Sequence, residues 1–138
     1  MEIKYREGKL GENIGQLIND GFTKYAEKSG ISTNYKEFNF VVYESGEVAG
    51  ILEGVTLYDE VRINNLIVDE KYRQKSVGSR LLNSVFDRFD SKIFRCVSLC
   101  TFDFQAPKFY EKCGFELEFV RKNKSNPKLT KYFFIKYL

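Results

Sequence analysis

Histidine is absent from this sequence, and with it go the Ser-His and Cys-His pairs of many nucleophilic enzymes and the commonest general base near neutral pH. Cysteine is scarce. Cys96, Cys100 and Cys113 are an odd number set among apolar residues, which suits reduced core thiols better than a disulfide framework. A Cys-x3-Cys pair without histidine is poor zinc spacing, so no metal is expected. No apolar run approaches the roughly 20 residues of a membrane span, and no membrane partner is expected. The opening Met1-Glu2-Ile3-Lys4 lacks a secretory signal, and the cytoplasm is the expected compartment.

Aromatic residues, by contrast, are plentiful. Thirteen Phe and nine Tyr within a 43% hydrophobic chain of 138 residues argue for a packed core and a single domain over residues 1–138. The net charge of +3 hides an asymmetry: residues 1–70 hold seven Lys/Arg against thirteen Asp/Glu, and residues 71–138 hold fifteen against six. An acidic half can attract a cationic substrate and a basic half can serve a polyanion.

Along the chain, Ile3 to Arg6 reads as a short strand, and Leu10, Ile14, Leu17, Ile18, Phe22 and Tyr25 recur at helical spacing up to about Lys28. Gly30 ends that helix. Tyr35–Ser45 and Glu47–Tyr58 are strand-like runs joined at Ser45-Gly46, and Asp59-Glu60 turns the chain into a third strand, Val61–Val68. A helix follows, with Leu81, Leu82, Val85, Phe86 and Phe89 as its apolar positions. Lys92–Thr101 reads as the next strand, parallel to Val61–Val68 across that helix. Pro107 opens a short helix over residues 106–113, closed by Gly114. Phe115–Arg121 and Lys131–Leu138 form a final hairpin. The fold class is therefore α/β (α+β mixed sheet), largely antiparallel with a central parallel strand pair and flanking helices.

Between Val68 and Leu82 a strand leads through Lys71, Arg73, Lys75 and Gly78 into a helix N-terminus. Exposed N–H groups and the helix dipole there favour an anion. Ligands of such sheets sit at the carboxyl ends of the crossover strands, which is the same place.

Arg73-Gln74-Lys75-Ser76-Val77-Gly78 resembles the Arg/Gln-x-x-Gly-x-Gly/Ala acetyl-CoA signature of the GNAT superfamily of N-acetyltransferases. Phe104-Gln105-Ala106-Pro107-Lys108-Phe109-Tyr110-Glu111-Lys112-Cys113-Gly114-Phe115 is similar to a second motif of that family, and the likeness covers about residues 40–138. The resemblance implies a GNAT-like acyl-CoA N-acyltransferase fold and acetyl-CoA as co-substrate. It also implies acetyl transfer to a primary amine, of a small molecule or of a lysine or N-terminus, within a ternary complex. On it, N–H groups of Gln74, Lys75, Ser76, Val77, Gly78 and Ser79 hold the pyrophosphate, with Arg73, Lys75 and Arg80 supplying charge. Leu66, Ile67 and Val68 pair with the pantetheine arm, and an N–H near Leu66–Ile67 polarises the thioester carbonyl. Gln105 and Phe109 join the cofactor site, although Phe109 by itself reads as a packing residue. Tyr110 is the candidate general acid, because a phenol with a pKa of about 10 stays protonated at neutral pH.

One position departs from the pattern. Ser76 stands where the family has its first motif glycine, and a Cβ there costs of order 1 kcal/mol if the backbone needs positive φ. Glu53 is a possible base. By alternation Asn64 shares a face with Leu66 and Val68, where it can orient substrate or water. Cys113 could be acylated but reads first as a buried thiol. Arg121, Lys122, Lys124, Lys128 and Lys131 form a basic loop that is either simply solvated or touches an adenosine phosphate or an acidic partner. Glu44, Glu47, Glu53, Asp59 and Glu60 mildly favour a cationic amine. An alternative function is a catalytically silent acyl-CoA-binding module of the same fold. Nucleic acid is not expected, because no recognition helix or stacking signature is present. Either a monomer or a homodimer fits.

Overall fold

The structure, a computed structural model, describes residues 1–138 and divides into two compact units, Met1–Thr33 and Asn34–Leu138. No helix is long and apolar enough to cross a membrane.

In the first unit a single helix, α1 (Glu12–Lys28), starts at Gly11 without a side-chain cap. Its end is better sealed. The Gly30 N–H donates to the Glu27 carbonyl and the Ile31 N–H to the Ala26 carbonyl, with Gly30 at φ +69°, the Schellman arrangement. Ala26 is the buried residue of the helix. The expected strand at Ile3–Arg6 is not formed: the segment is irregular and exposed, with no neighbouring strand to take its N–H and C=O groups.

The second unit is a six-stranded sheet in the order β1-β2-β3-β4-β6-β5. β1 (Lys36–Glu44) and β2 (Glu47–Leu57) form a hairpin. Ser45 and Gly46 at its tip both have positive φ, as a twist-matched two-residue turn requires. β3 (Glu60–Val68) pairs antiparallel with β2. The chain then passes through a 3-10 turn at Glu70–Tyr72 into α2 (Val77–Arg88). β4 is Cys96–Phe102, shorter at its start than the sequence suggests. The Asp90 side chain accepts the Lys92 N–H and its carbonyl accepts from Ile93 and Phe94, so a turn occupies those residues. A second 3-10 turn (Asp103–Gln105) leads to α3 (Lys108–Lys112), and β5 (Glu116–Arg121) and β6 (Lys131–Tyr137) complete the sheet. α3 is shorter than expected because Ala106 takes a left-handed conformation.

Val77, Leu81, Leu82 and Val85 of α2 are buried in the core with Leu52, Val61, Ile63, Val97, Leu99 and Phe134. Gly50 permits this close seat. A Cβ there would lie 2.8 Å from Val77 Cγ1 and 3.1 Å from Leu81 Cδ1.

The parallel contact between β3 and β4 is confined to three residue pairs, Glu60–Cys96, Val61–Val97 and Arg62–Ser98. Beyond them the two strands run on unpaired with each other, β3 to Val68 and β4 to Phe102. The sheet is therefore open at its centre towards the carboxyl ends of these strands. On the β2 side, Glu53 pairs with Asn65 while Gly54 pairs with Ile63, leaving Asn64 as the extra residue of a bulge. The bulge resets the alternation. Leu66 and Val68, half-buried, follow Val61 and Ile63 inward, whereas Asn64 is exposed. Asn64 thus does not share a face with Leu66 and Val68, contrary to the alternation read from sequence.

Candidate active site

The loop between β3 and α2 is built before it is charged. Tyr72, 8% exposed, anchors it in the core. The Tyr72 hydroxyl donates to Glu47 Oε2 (3.1 Å), which also pairs with the Lys71 ammonium. The Lys71 hydrogen bond first, and the Tyr72 one after it, hold the Glu47 carboxyl below its ordinary pKa, while the bond to Glu47 raises the Lys71 ammonium above its own. Asp69 accepts the Lys71 N–H, its own N–H donates to the Ala49 carbonyl, and Arg73 Nε donates to the Val68 carbonyl (3.2 Å). Arg73 therefore fastens the loop to the end of β3 as well as adding charge.

From this anchored base the backbone turns through two left-handed residues, Gln74 (φ +63°) and Ser76 (φ +62°), before α2 begins at Val77. The N–H groups of Gln74, Lys75, Ser76, Val77, Gly78 and Ser79 all precede the hydrogen-bond ladder of α2, which begins where Arg80 donates to Ser76. Left-handed residues followed by a helix start turn successive N–H groups towards a common concavity, which is an anion nest. The Lys75 and Arg80 side chains are exposed beside it. The donor set fits a pyrophosphate.

The second motif meets the first at one contact. Phe109 of α3 lies against Gly78, so closely that a Cβ on Gly78 would come within 2.9 Å of the Phe109 Cζ. Its neighbour Tyr110 is gripped by Phe109, Phe115 and Phe134, with ring centroids 5.2, 6.0 and 5.8 Å away. Burial, and secondarily Cys113, pushes the Tyr110 phenol up to about 12. The hydroxyl makes no hydrogen bond within the protein, yet it is not sealed off from solvent. It is a protonated donor without a partner.

Gln105 is exposed, and its side chain is turned back onto its own turn. Its Oε1 accepts from the Phe102 N–H (3.1 Å) and the Thr101 hydroxyl (3.3 Å), which fixes the turn ahead of α3. At the other end of α3, the Lys136 ammonium donates to the Cys113 carbonyl (3.3 Å) and lies 4.1 Å from the centre of the Phe86 ring. Burial raises the half-buried Cys113 thiol, so the expectation of a packing thiol fits.

Across the central opening, Leu66 and Val68 are half-buried and Ile67 is 63% exposed. Their unpaired strand edge supplies N–H and C=O groups of the kind that amides of an extended ligand can match. Glu53 is exposed on β2, and Asn65 Nδ2 donates to its Oε1. Asn65 escaped the sequence reading. The signal was the Asn64-Asn65 pair inside an apolar strand, where β propensity is low and a bulge is favoured.

The profile of the Acetyltransferase (GNAT) family matches residues 12–115. A blasticidin-S acetyltransferase of Streptomyces morookaense is 37% identical over 76 residues, 54% of this chain and 55% of that protein. The match thus spans about half the length of that curated relative. The crystal structure of an acetyltransferase from Bacillus cereus ATCC 14579 superimposes with a TM-score of 0.76 at 27% identity, covering 98% of both chains. An aminoglycoside 6'-N-acetyltransferase complexed with coenzyme A shares the fold, with a TM-score of 0.63 at 16% identity over 90% of this chain and 84% of that one.

Proposed function

Because the chain belongs to the acetyltransferase (GNAT) family, we propose that it transfers the acetyl group of acetyl-CoA directly to the primary amine of a small molecule, with residues 1–138 as one catalytic domain. The observation that carries this reading is the contact of Phe109 with Gly78. It brings the pyrophosphate nest and the unpartnered Tyr110 hydroxyl onto adjoining elements.

The N–H groups from Gln74 to Ser79 hold the pyrophosphate, and Arg73, Lys75 and Arg80 balance its charge. The open edge of β3 pairs with the pantetheine amides and aims an N–H at Leu66–Ile67 at the thioester oxygen, stabilising negative charge there as the amine attacks. Glu53, oriented by Asn65, takes the proton that the ammonium must lose, directly or through water. A C–N bond forms and the C–S bond breaks. Tyr110 donates to the departing sulfur. A phenol near 12 is a weaker acid than a thiol, and negative charge growing on the sulfur disfavours its ionisation further, so its contribution is a hydrogen bond to the departing thiolate, which takes its proton from solvent.

The relatives named above act, by their names, on blasticidin-S and aminoglycosides, which supports a small-molecule acceptor; peptide amines form a second arm of the test. Four of the five acidic residues that suggested a cationic acceptor have partners in the fold: Glu47 with Lys71, Asp59 with Arg95, Glu60 with Arg62, and Glu53 with Asn65. Three free thiols suit a reducing cytoplasm.

Incubation with acetyl-CoA and an amine panel is expected to release free thiol, and Tyr110→Phe to slow release by about 10²-fold with little change in acetyl-CoA affinity. Tight acetyl-CoA binding without turnover of any amine would favour the silent binding module, a reading to which the strained Ser76 lends some weight. No binding at all would remove both.

A further inference from the structure

On the face of the sheet opposite α2, the carboxyl end of β4 and the adjoining ends of β5 and β6 carry cations stacked on aromatic rings. The register places Phe102, Lys131 and Arg121 in one row and Cys100, Phe133 and Phe119 in the next. Alternate residues of the same strands, Leu99, Phe134 and Thr101, are buried, so these two rows lie on the other side. Lys131 Nζ is 5.6 Å from the centre of the Phe102 ring and 5.5 Å from that of Phe133, and Arg121 Cζ is 5.3 Å from Phe133. Two like charges thus converge on a single ring. No Asp or Glu occurs from Phe119 to Leu138, and neither cation enters an ion pair, the four salt bridges of the protein lying elsewhere. Phe104 and Phe119, 60% and 56% exposed, border the patch.

Glu53 and Asn65 belong to the same face, because Leu52 on β2 and Leu66 on β3 point inward around them. The central opening lies between them and the cationic rows. β3 and β6 stand two strand positions apart, roughly 10 Å where strands pair and more where β3 and β4 part. We infer that the acceptor carries an anionic group, a carboxylate or a phosphate, set well apart from its amine. Its amine would lie at the Glu53–Asn65 side and its anionic end against Lys131 and Arg121. An anion there relieves the repulsion between the two cations and gains charge-assisted hydrogen bonds. The pyrophosphate nest, at the start of α2, is on the opposite face, so this patch is not a continuation of it.

This inference rests on the acetyl-transfer reading, and its test separates the two. Initial rates are measured for 6-aminohexanoate, 6-aminohexyl phosphate, 6-aminohexanamide and 1,6-diaminohexane with the wild type and with Lys131→Gln and Arg121→Gln, each checked for folding by circular dichroism. One or both anionic amines are expected to exceed the neutral amide by about tenfold or more in kcat/KM, through KM, and which one leads identifies the anion. Each substitution is expected to shrink that advantage towards unity. Equal rates for anionic and neutral amines, a preference for the diamine, or an advantage that survives both substitutions would overturn the inference. So would weakened CoA binding in the variants that 3′-dephospho-CoA does not share, since the patch would then serve the nucleotide. If no probe amine turns over, titration of 6-acetamidohexanoate and its amide into CoA-loaded protein decides, read on the Phe119 and Phe133 ring resonances. Shifts confined to the carboxylate support the inference and their absence overturns it. Failure of CoA itself to bind counts against acetyl transfer.

Discussion

At Ser76 the backbone stands at φ +62° and ψ +17°, a conformation that costs a Cβ-bearing residue roughly 1 kcal/mol. Ser76→Gly is therefore expected to raise the melting temperature by a few degrees and to leave CoA affinity equal or tighter, by calorimetry. Weaker binding would mean that the serine hydroxyl contributes to the site. Tyr110 yields a pH prediction whose sign is fixed. Its folded pKa, about 12, lies above an unfolded value of about 10, so its contribution to stability is complete below pH 10 and lost as pH rises through 12. About two pKa units correspond to roughly 2.7 kcal/mol. Phenolate absorbance should show one tyrosine ionising after the others, and Tyr110→Phe should delete that late step. Tyr110 and Ser76 were both legible in sequence because each sits inside a contiguous motif. Asn65 was not, because its role depends on a cross-strand partner twelve residues away.

Among the elements, the decisive joint is between the start of α2 and α3. Gly78→Ala puts a methyl within 2.9 Å of the Phe109 Cζ, an overpacking expected to cost about 1–3 kcal/mol and to weaken CoA binding. Pairing it with Phe109→Leu should recover part of both losses, a non-additivity that a double-mutant cycle would register; strictly additive effects would place the two residues out of contact. Every strand of the second unit was readable from alternation and turn residues, as were α1 and α2 from their apolar spacing. The misreadings came where local pattern lacked tertiary support or was broken by a turn. Ile3–Arg6 alternates but has no partner strand, Asn64 breaks the period of β3, and the Asp90 turn delays β4 to Cys96.

For the whole molecule, the sheet consists of two antiparallel sets, β1-β2-β3 and β4-β6-β5, joined edge to edge through three residue pairs. Backbone amides of β3 that face the opening after Arg62 should exchange with solvent quickly in the free protein. They should become protected when acetyl-CoA is added, measured by hydrogen exchange, while the amides that pair β2 with β3 change little. No protection in β3 at saturating acetyl-CoA would exclude strand-like pairing of the pantetheine. That the sheet divides here could be anticipated only through the family resemblance. The residues themselves signalled a parallel pair, and nothing in their spacing told how far the pairing extends.

The shortness of that junction bears on the molecule as a mechanical object. A ligand lying between β3 and β4 as an extended strand would stitch the two halves into one continuous sheet, and its departure would undo the seam. Rigidity would then be borrowed from the substrate and returned at each turnover, so resistance to heat and proteolysis should follow the concentration of acetyl-CoA.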